Sequence, residues 1–110
     1  MKKIKVKFTY MELVELSALI NDIQHQLIKD ILLDVKEINV YRLQSCIKVR
    51  KRVYTLCVLF TNGRFKVVNF DMCEQLTLRY CLLKSKRSIA MQNLFTIIDK
   101  SIHPSMFERS

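Results

Sequence analysis

Neither glycine nor proline occurs before position 63, and the whole chain of 110 residues contains one of each, Gly63 and Pro104. These residue types are the strongest local breakers of helices and strands, so their absence permits long uninterrupted elements, most easily helices. Half of the residues are hydrophobic, which is enough to build a core in a chain of this length. We therefore expect residues 1–110 to form a single helix-rich domain.

Two predicted helix starts share one signature. Thr9–Glu12 and Asp71–Glu74 both fit a capping box, in which the first and fourth residues exchange side-chain to backbone hydrogen bonds. A short extended apolar segment precedes each box, near 3–8 and 64–70. The two copies fit either a decayed duplication or two independent helix starts. We favour the second interpretation because few residues are identical.

Apolar residues recur at helical spacing in three of the predicted helices, which indicates one buried face on each. The fourth helix begins at a Ser88 cap and stops at Pro104. The predicted buried stripes are Leu13, Leu16, Ile20, Ile23 and Leu27 in the first helix, Cys73, Leu76, Tyr80 and Leu83 in the third, and Met91, Leu94, Phe95, Ile98 and Ile102 in the fourth.

The segment 34–61 can form a second long helix that ends at a left-handed Asn62-Gly63 cap. Arg50 falls in the centre of its apolar face, where a guanidinium needs a carboxylate or a route to solvent. The face consists of Leu43, Cys46, Ile47, Val53, Tyr54, Cys57 and Phe60.

The alternative is a β-hairpin at 53–70, because Asn-Gly is the preferred two-residue hairpin turn and Val53–Phe60 is rich in strand-favouring residues. We favour the helix. The predicted fold is mainly α, a four-helix bundle-like single domain with short extended segments near 3–8 and 64–70. The alternative fold is α+β, with the hairpin at 53–70 packed on helices.

The positive charge is concentrated in one part of the chain. Residues 1–37 hold six basic and six acidic side chains, whereas residues 38–110 hold thirteen basic and four acidic ones and carry the whole net charge of +9. Such an excess is typical of a phosphate-binding surface and also of a solvated face that keeps a small protein soluble. The candidate phosphate-contacting residues are Lys48, Lys51, Arg52, Lys84, Lys86 and Arg87.

No motif in the sequence identifies a reaction, so we expect no enzymatic activity, no cofactor, no metal and no small-molecule substrate. Asp22 with His25, and Asp99 with His103, share helix faces, but either pair supplies too few ligands for a metal. We expect a protein-association module that binds another protein or forms a homodimer through surplus apolar surface. The alternative is an accessory protein that contacts the nucleic-acid backbone through residues 38–110.

The cellular location is expected to be cytoplasmic. The lysine-rich start lacks the apolar stretch of a signal peptide, and the longest uncharged run, Val53–Gly63, is too short to span a bilayer. No Cys-x-x-Cys pair is present, which is consistent with free thiols. We expect four free, buried cysteines at positions 46, 57, 73 and 81.

Overall fold

A computed structural model describes residues 3–60 and 63–102, and in these residues four helices pack around a two-stranded antiparallel sheet. The mainly α, bundle-like fold and both extended segments are therefore confirmed. The elements follow in the order β1 (Ile4–Phe8), α1 (Tyr10–Leu33), α2 (Glu37–Val58), β2 (Lys66–Phe70), α3 (Met72–Leu83) and α4 (Ile89–Ile102).

The sheet joins two segments that are far apart in the sequence. Val6 pairs with Val68 at the centre of the ladder, and the register is symmetric about this pair. Side chains alternate between the two faces of a strand, and in both strands the third and fifth residues are buried. These residues, Val6, Phe8, Val68 and Phe70, therefore lie in the core. The rings of Phe8 and Phe70 meet edge to face, with their centroids 6.0 Å apart.

Both predicted capping boxes are present directly after the strands. The Thr9 hydroxyl accepts a hydrogen bond from the Glu12 amide at 3.2 Å, and the Glu12 carboxylate accepts one from the Thr9 amide at 2.7 Å. Asp71 and Glu74 make the equivalent bonds at 2.9 and 3.0 Å. The Ser88 hydroxyl accepts from the Met91 amide at 3.3 Å, as predicted for α4. Pro104 lies outside the described residues.

The resemblance between the two helix starts extends into the core. When Thr9 is aligned with Asp71, the corresponding positions of α1 and α3 are buried in both helices, so the two strand–helix units share one pattern of burial. The matched buried positions are Leu13 with Gln75, Leu16 with Leu78, Leu19 with Cys81, and Ile20 with Leu82.

The predicted stripes of α1 and α4 are confirmed. All five α1 residues are buried, and in α4 Met91, Leu94 and Ile98 are buried while Phe95 and Ile102 are half-buried against the same core. The N-terminal part of α1 is thus fixed in place by a cap at one end and continuous core contact along one face.

The predicted buried face of α3 is wrong. Cys73, Leu76 and Leu83 are exposed and Tyr80 is half-buried. α3 carries two apolar rows, and the one containing Leu78 and Leu82 faces the core instead. That row includes a glutamine, which is accommodated because the Gln75 side-chain amide donates to the Phe70 carbonyl at 3.0 Å.

The second helix is real, but its end and its face differ from the prediction. It ends at Val58 with Leu59 as its C-cap, before the expected Asn62-Gly63 cap, and Asn62 lies outside the described residues. Its buried residues are Cys46, Val49 and Val53, and Tyr54 is exposed. The face is narrower than predicted because it packs between α1 and α3, which leaves the flanking positions only partly covered.

The alternative hairpin at 53–70 is wrong. Val53–Val58 are helical, and the partner of β2 is β1. Arg50, the difficulty in the helical interpretation, is half-buried and donates from Nε to the Gln24 side-chain oxygen at 2.7 Å. A neutral amide thus supplies the acceptor, where we expected a carboxylate or a route to solvent.

Urea titration of single variants tests this description of α1. We expect Thr9→Ala to lower the free energy of unfolding by about 1 kcal/mol, through loss of the cap. Leu16→Ala should lower it by roughly 2–5 kcal/mol, because it removes a fully buried side chain. The control Met11→Ala changes an exposed α1 side chain and should have an effect within about 0.5 kcal/mol. Equal stability of all three variants would contradict the packing of α1.

Candidate functional site

The helices α1 and α2, which form a helical hairpin, are much longer than α3 and α4. α1 has 24 residues and α2 has 22, whereas α3 has 12, so α1 is about 18 Å longer than α3 at 1.5 Å per residue. α3 runs antiparallel to α2, since Arg52 pairs with Glu74 near the start of α3 and Arg42 stacks on Tyr80 near its end. The connection between α1 and α2 therefore extends past the end of α3.

We call residues 28–41, which form this extension, the tip. None of them is buried, although the tip holds a high proportion of large apolar side chains. Leu32, Leu33 and Val35 are 80%, 87% and 75% exposed. A concentration of exposed apolar side chains in one segment is characteristic of interaction sites. The exposed large apolar residues of the tip are Ile28, Leu32, Leu33, Val35, Ile38 and Tyr41.

A groove between α2 and α3 adjoins the tip. We call it the α2–α3 groove; its volume is about 570 Å³. Leu76 and Leu83, the misassigned stripe of α3, form one wall and remain half exposed. On α2, Ile38, Tyr41 and Ser45 share one helix face, so the face that lines the groove continues into the tip. The groove is lined by Tyr41, Arg42, Ser45, Cys46, Cys73, Leu76, Thr77, Arg79, Tyr80, Leu83 and Lys84.

The lining of the groove is basic. Tyr80 lies under two cations, with the Arg42 guanidinium carbon 4.6 Å and the Lys84 ammonium nitrogen 5.9 Å from its ring centroid. Burial raises the pKa of the Tyr80 hydroxyl, and the charge of Arg42 partly offsets that rise. The third cation, Arg79, donates from Nε to Asp99 at 2.9 Å. No acidic side chain lines the groove among the described residues.

Two buried thiols meet at the base of the groove. The sulfur atoms of Cys46 and Cys81 are 3.5 Å apart, and both cysteines are fully buried. The hydrogen bond between the two thiols lowers the pKa of Cys46, whereas the same bond and burial raise the pKa of Cys81. All four cysteines are free, but only these two are buried. The expectation of four buried thiols is therefore wrong for half-buried Cys57 and exposed Cys73.

The six candidate phosphate-contacting residues lie in two separate groups. Lys48 and Lys51 are exposed on α2, and Lys84, Lys86 and Arg87 follow the far end of α3. Two of the six are engaged within the fold. Arg52 forms an ion pair with Glu74 and stacks over Phe70, and Arg87 stacks on Phe95 at 4.5 Å and donates to the Leu82 carbonyl. Lys86 lies beside Glu15 and Asp22.

The two carboxylate–histidine pairs do not form a described site. Asp22 and His25 are exposed on α1. Asp99 is the acceptor of the Arg79 hydrogen bond, and His103 lies outside the described residues. Within residues 3–60 and 63–102, no three His, Cys, Asp or Glu side chains cluster as metal ligands. In the same residues, no helix is both long enough and apolar enough to cross a membrane.

The tip was missed at the sequence level. The signal that could have revealed it is the run of three consecutive apolar residues, Ile31, Leu32 and Leu33, followed by Val35. Consecutive residues point to different sides of a helix, so one packed face cannot cover all of them. Comparison with known proteins finds no matching protein family, no matching curated protein and no matching solved structure.

Thiol reactivity tests the packing at the base of the groove. We expect the native protein to be alkylated first at exposed Cys73, then more slowly at half-buried Cys57. Cys46 and Cys81 should react only after unfolding, because neither sulfur reaches solvent. Mass spectrometry after alkylation in denaturant without reductant should find four modified cysteines. A native disulfide, or rapid labelling of Cys46 or Cys81, would contradict this arrangement.

Proposed function

We propose that this protein is a non-enzymatic protein-association module that binds through the tip and the α2–α3 groove. The observation that carries the proposal is the exposure of Leu32, Leu33 and Val35 at the end of a protruding helical hairpin. Leaving such side chains in water costs free energy that a partner surface recovers, at about 25 cal/mol for each Å² of apolar surface that it covers.

Two further observations support association at this surface. The half-exposed apolar residues of the groove, Leu76 and Leu83, continue the apolar surface of the tip across Tyr41. Aromatic and arginine side chains are enriched where interfaces hold most of their binding energy, and the groove presents Tyr41, Tyr80 and Arg42 together. A cytoplasmic location is part of the proposal, and the four free thiols favour a reducing compartment.

Site-specific photocrosslinking tests the proposal. A photoreactive phenylalanine analogue is placed at Leu33, and in a matched control at Val58, which is 64% exposed at the other end of α2. We expect the Leu33 variant, expressed in the native host, to give a protein adduct of defined mass. The Val58 variant should not give that adduct, because it lies outside the tip and the groove. Identical adducts from both positions, or none from either, would contradict the proposal.

Nucleic-acid binding is the second candidate function. The observation that favours it is the pair Lys48 and Lys51, which are exposed on one side of α2 in a stretch without acidic residues from 38 to 70. Backbone binding of this kind is independent of base sequence, salt-dependent and weak, with Kd roughly 10⁻⁴–10⁻⁶ M at physiological salt.

A DNA mobility assay at low salt decides between the two candidates. If the basic half binds phosphate, replacing Lys48 and Lys51 with glutamate should abolish the shift. The control replaces Lys5 and Lys7, which are exposed on β1, and should change it less. Arg52 is left out of the test because its loss also breaks the ion pair with Glu74. If the wild-type protein does not shift duplex DNA, this second candidate fails.

A further inference from the structure

The two parts of the candidate surface have complementary shapes. The tip is convex and apolar, whereas the α2–α3 groove is concave and lined by exposed apolar side chains. Two copies of a concave groove that face each other leave the space between them unfilled, because packing at interfaces requires complementary surfaces. A convex helical element is therefore the occupant that fits the groove, and this chain carries one directly beside it.

The two parts also have complementary charges. Residues 28–41 contain three acidic side chains, Asp30, Asp34 and Glu37, and two basic ones, in a chain of net charge +9. The groove is lined by Arg42, Arg79 and Lys84 without an acidic residue among the described ones. Bringing the tip, with its net charge of −1, onto the basic groove is favourable, whereas groove against groove would oppose like charges.

The sizes of the two parts agree. The exposed apolar side chains of the tip occupy about one and a half turns of each helix, or roughly 8 Å. The apolar wall of the groove runs from Cys73 to Leu83, which is about 15 Å along α3. The groove is thus long enough to receive the tip.

Along the chain the tip precedes Tyr41, whereas the groove residues of α2 follow it, and Tyr41 belongs to both surfaces. A twofold axis near Tyr41 would place the tip of each copy over the groove of the other. Such an isologous arrangement buries both surfaces in both copies and closes without leaving a free site.

From these observations we infer that the partner of this surface is a second copy of the same chain, with each tip seated in the α2–α3 groove of the other copy. The inference rests on the proposed function and specifies its partner. The wild-type protein is a reciprocal dimer in which Leu33 of the tip and Leu76 of the groove wall are both buried at the interface.

Sedimentation velocity from about 1 µM to about 1 mM tests the inference. The wild-type protein should show a reversible, concentration-dependent dimer. Leu33→Asp and Leu76→Asp should each weaken dimerisation by about tenfold or more. The dimer contains two tip-in-groove contacts, and each substitution buries a charge in both of them. The control Val58→Asp, at an exposed position distant from the tip, should dimerise like the wild type. All three variants should keep the helical circular dichroism and melting temperature of the wild-type monomer.

A mixture of the two defective variants distinguishes reciprocal packing from other dimers. In a dimer of Leu33→Asp with Leu76→Asp, one half combines both substitutions and the other half has a native tip in a native groove. The mixture should therefore associate more strongly than either variant alone. An unaffected Leu76→Asp protein would indicate tip-to-tip contact and would overturn the inference, as would a mixture that stays monomeric.

A monomeric wild-type protein also overturns the inference, and the photocrosslink then separates it from the proposed function. A Leu33 adduct with a different protein would support the proposed association function and contradict the homodimer. A monomer that gives no Leu33 adduct would overturn both. Pelleting of the monomer with lipid vesicles, lost in Leu33→Asp, would assign the tip to a membrane surface and overturn the homodimer.

Discussion

The antiparallel pairing of β1 with β2 is the interaction on which the rest of the fold depends. It joins two segments that are distant in the sequence around the Val6–Val68 pair and brings the rings of Phe8 and Phe70 together in the core. A capping box follows each strand directly, so the sheet also fixes where α1 and α3 begin. Because both helices start at the sheet and α1 is twice as long as α3, the last turns of α1 extend beyond the core. The exposed tip is thus a consequence of unequal helix lengths in two otherwise similar strand–helix units.

The groove lies beside the same helical hairpin, between α2 and α3. α2 begins beyond the end of α3 and returns along α1, and α4 packs against α3, where Arg79 reaches Asp99 and Phe95. The second apolar row of α3, with Leu76 and Leu83, is left uncovered. Tip and groove adjoin at Tyr41, and the short distance between them lets a single partner cover both. Charge favours the same arrangement, because the tip contains more acidic than basic residues in a strongly basic chain.

Local signals in the sequence predicted the parts of the fold that local physics determines. The capping boxes at Thr9 and Asp71 and the buried stripe of α1 were predicted because hydrogen-bonding side chains and helical periodicity act within a few residues. The buried faces of α2 and α3 were not predicted correctly. Helical periodicity shows that a face is apolar, but it does not show which neighbouring element covers that face. The sequence of α3 contains two apolar rows of residues. The row that is buried includes the polar residue Gln75, so the sequence favoured the other row. The six basic residues share a charge sign, but only tertiary structure separates them and pairs Arg52 with Glu74.

The central claim is that the tip of one copy and the α2–α3 groove of a second copy together form a reciprocal association surface. Methyl NMR of the wild-type protein as a function of concentration tests it most directly, since Leu32, Leu33, Val35, Leu76 and Leu83 all carry methyl groups at this surface. We expect the tip and groove methyl signals to shift together with one common midpoint, while those of Val58 stay unchanged. Signals that stay constant at both the tip and the groove, or that shift at Val58 instead, would contradict the account.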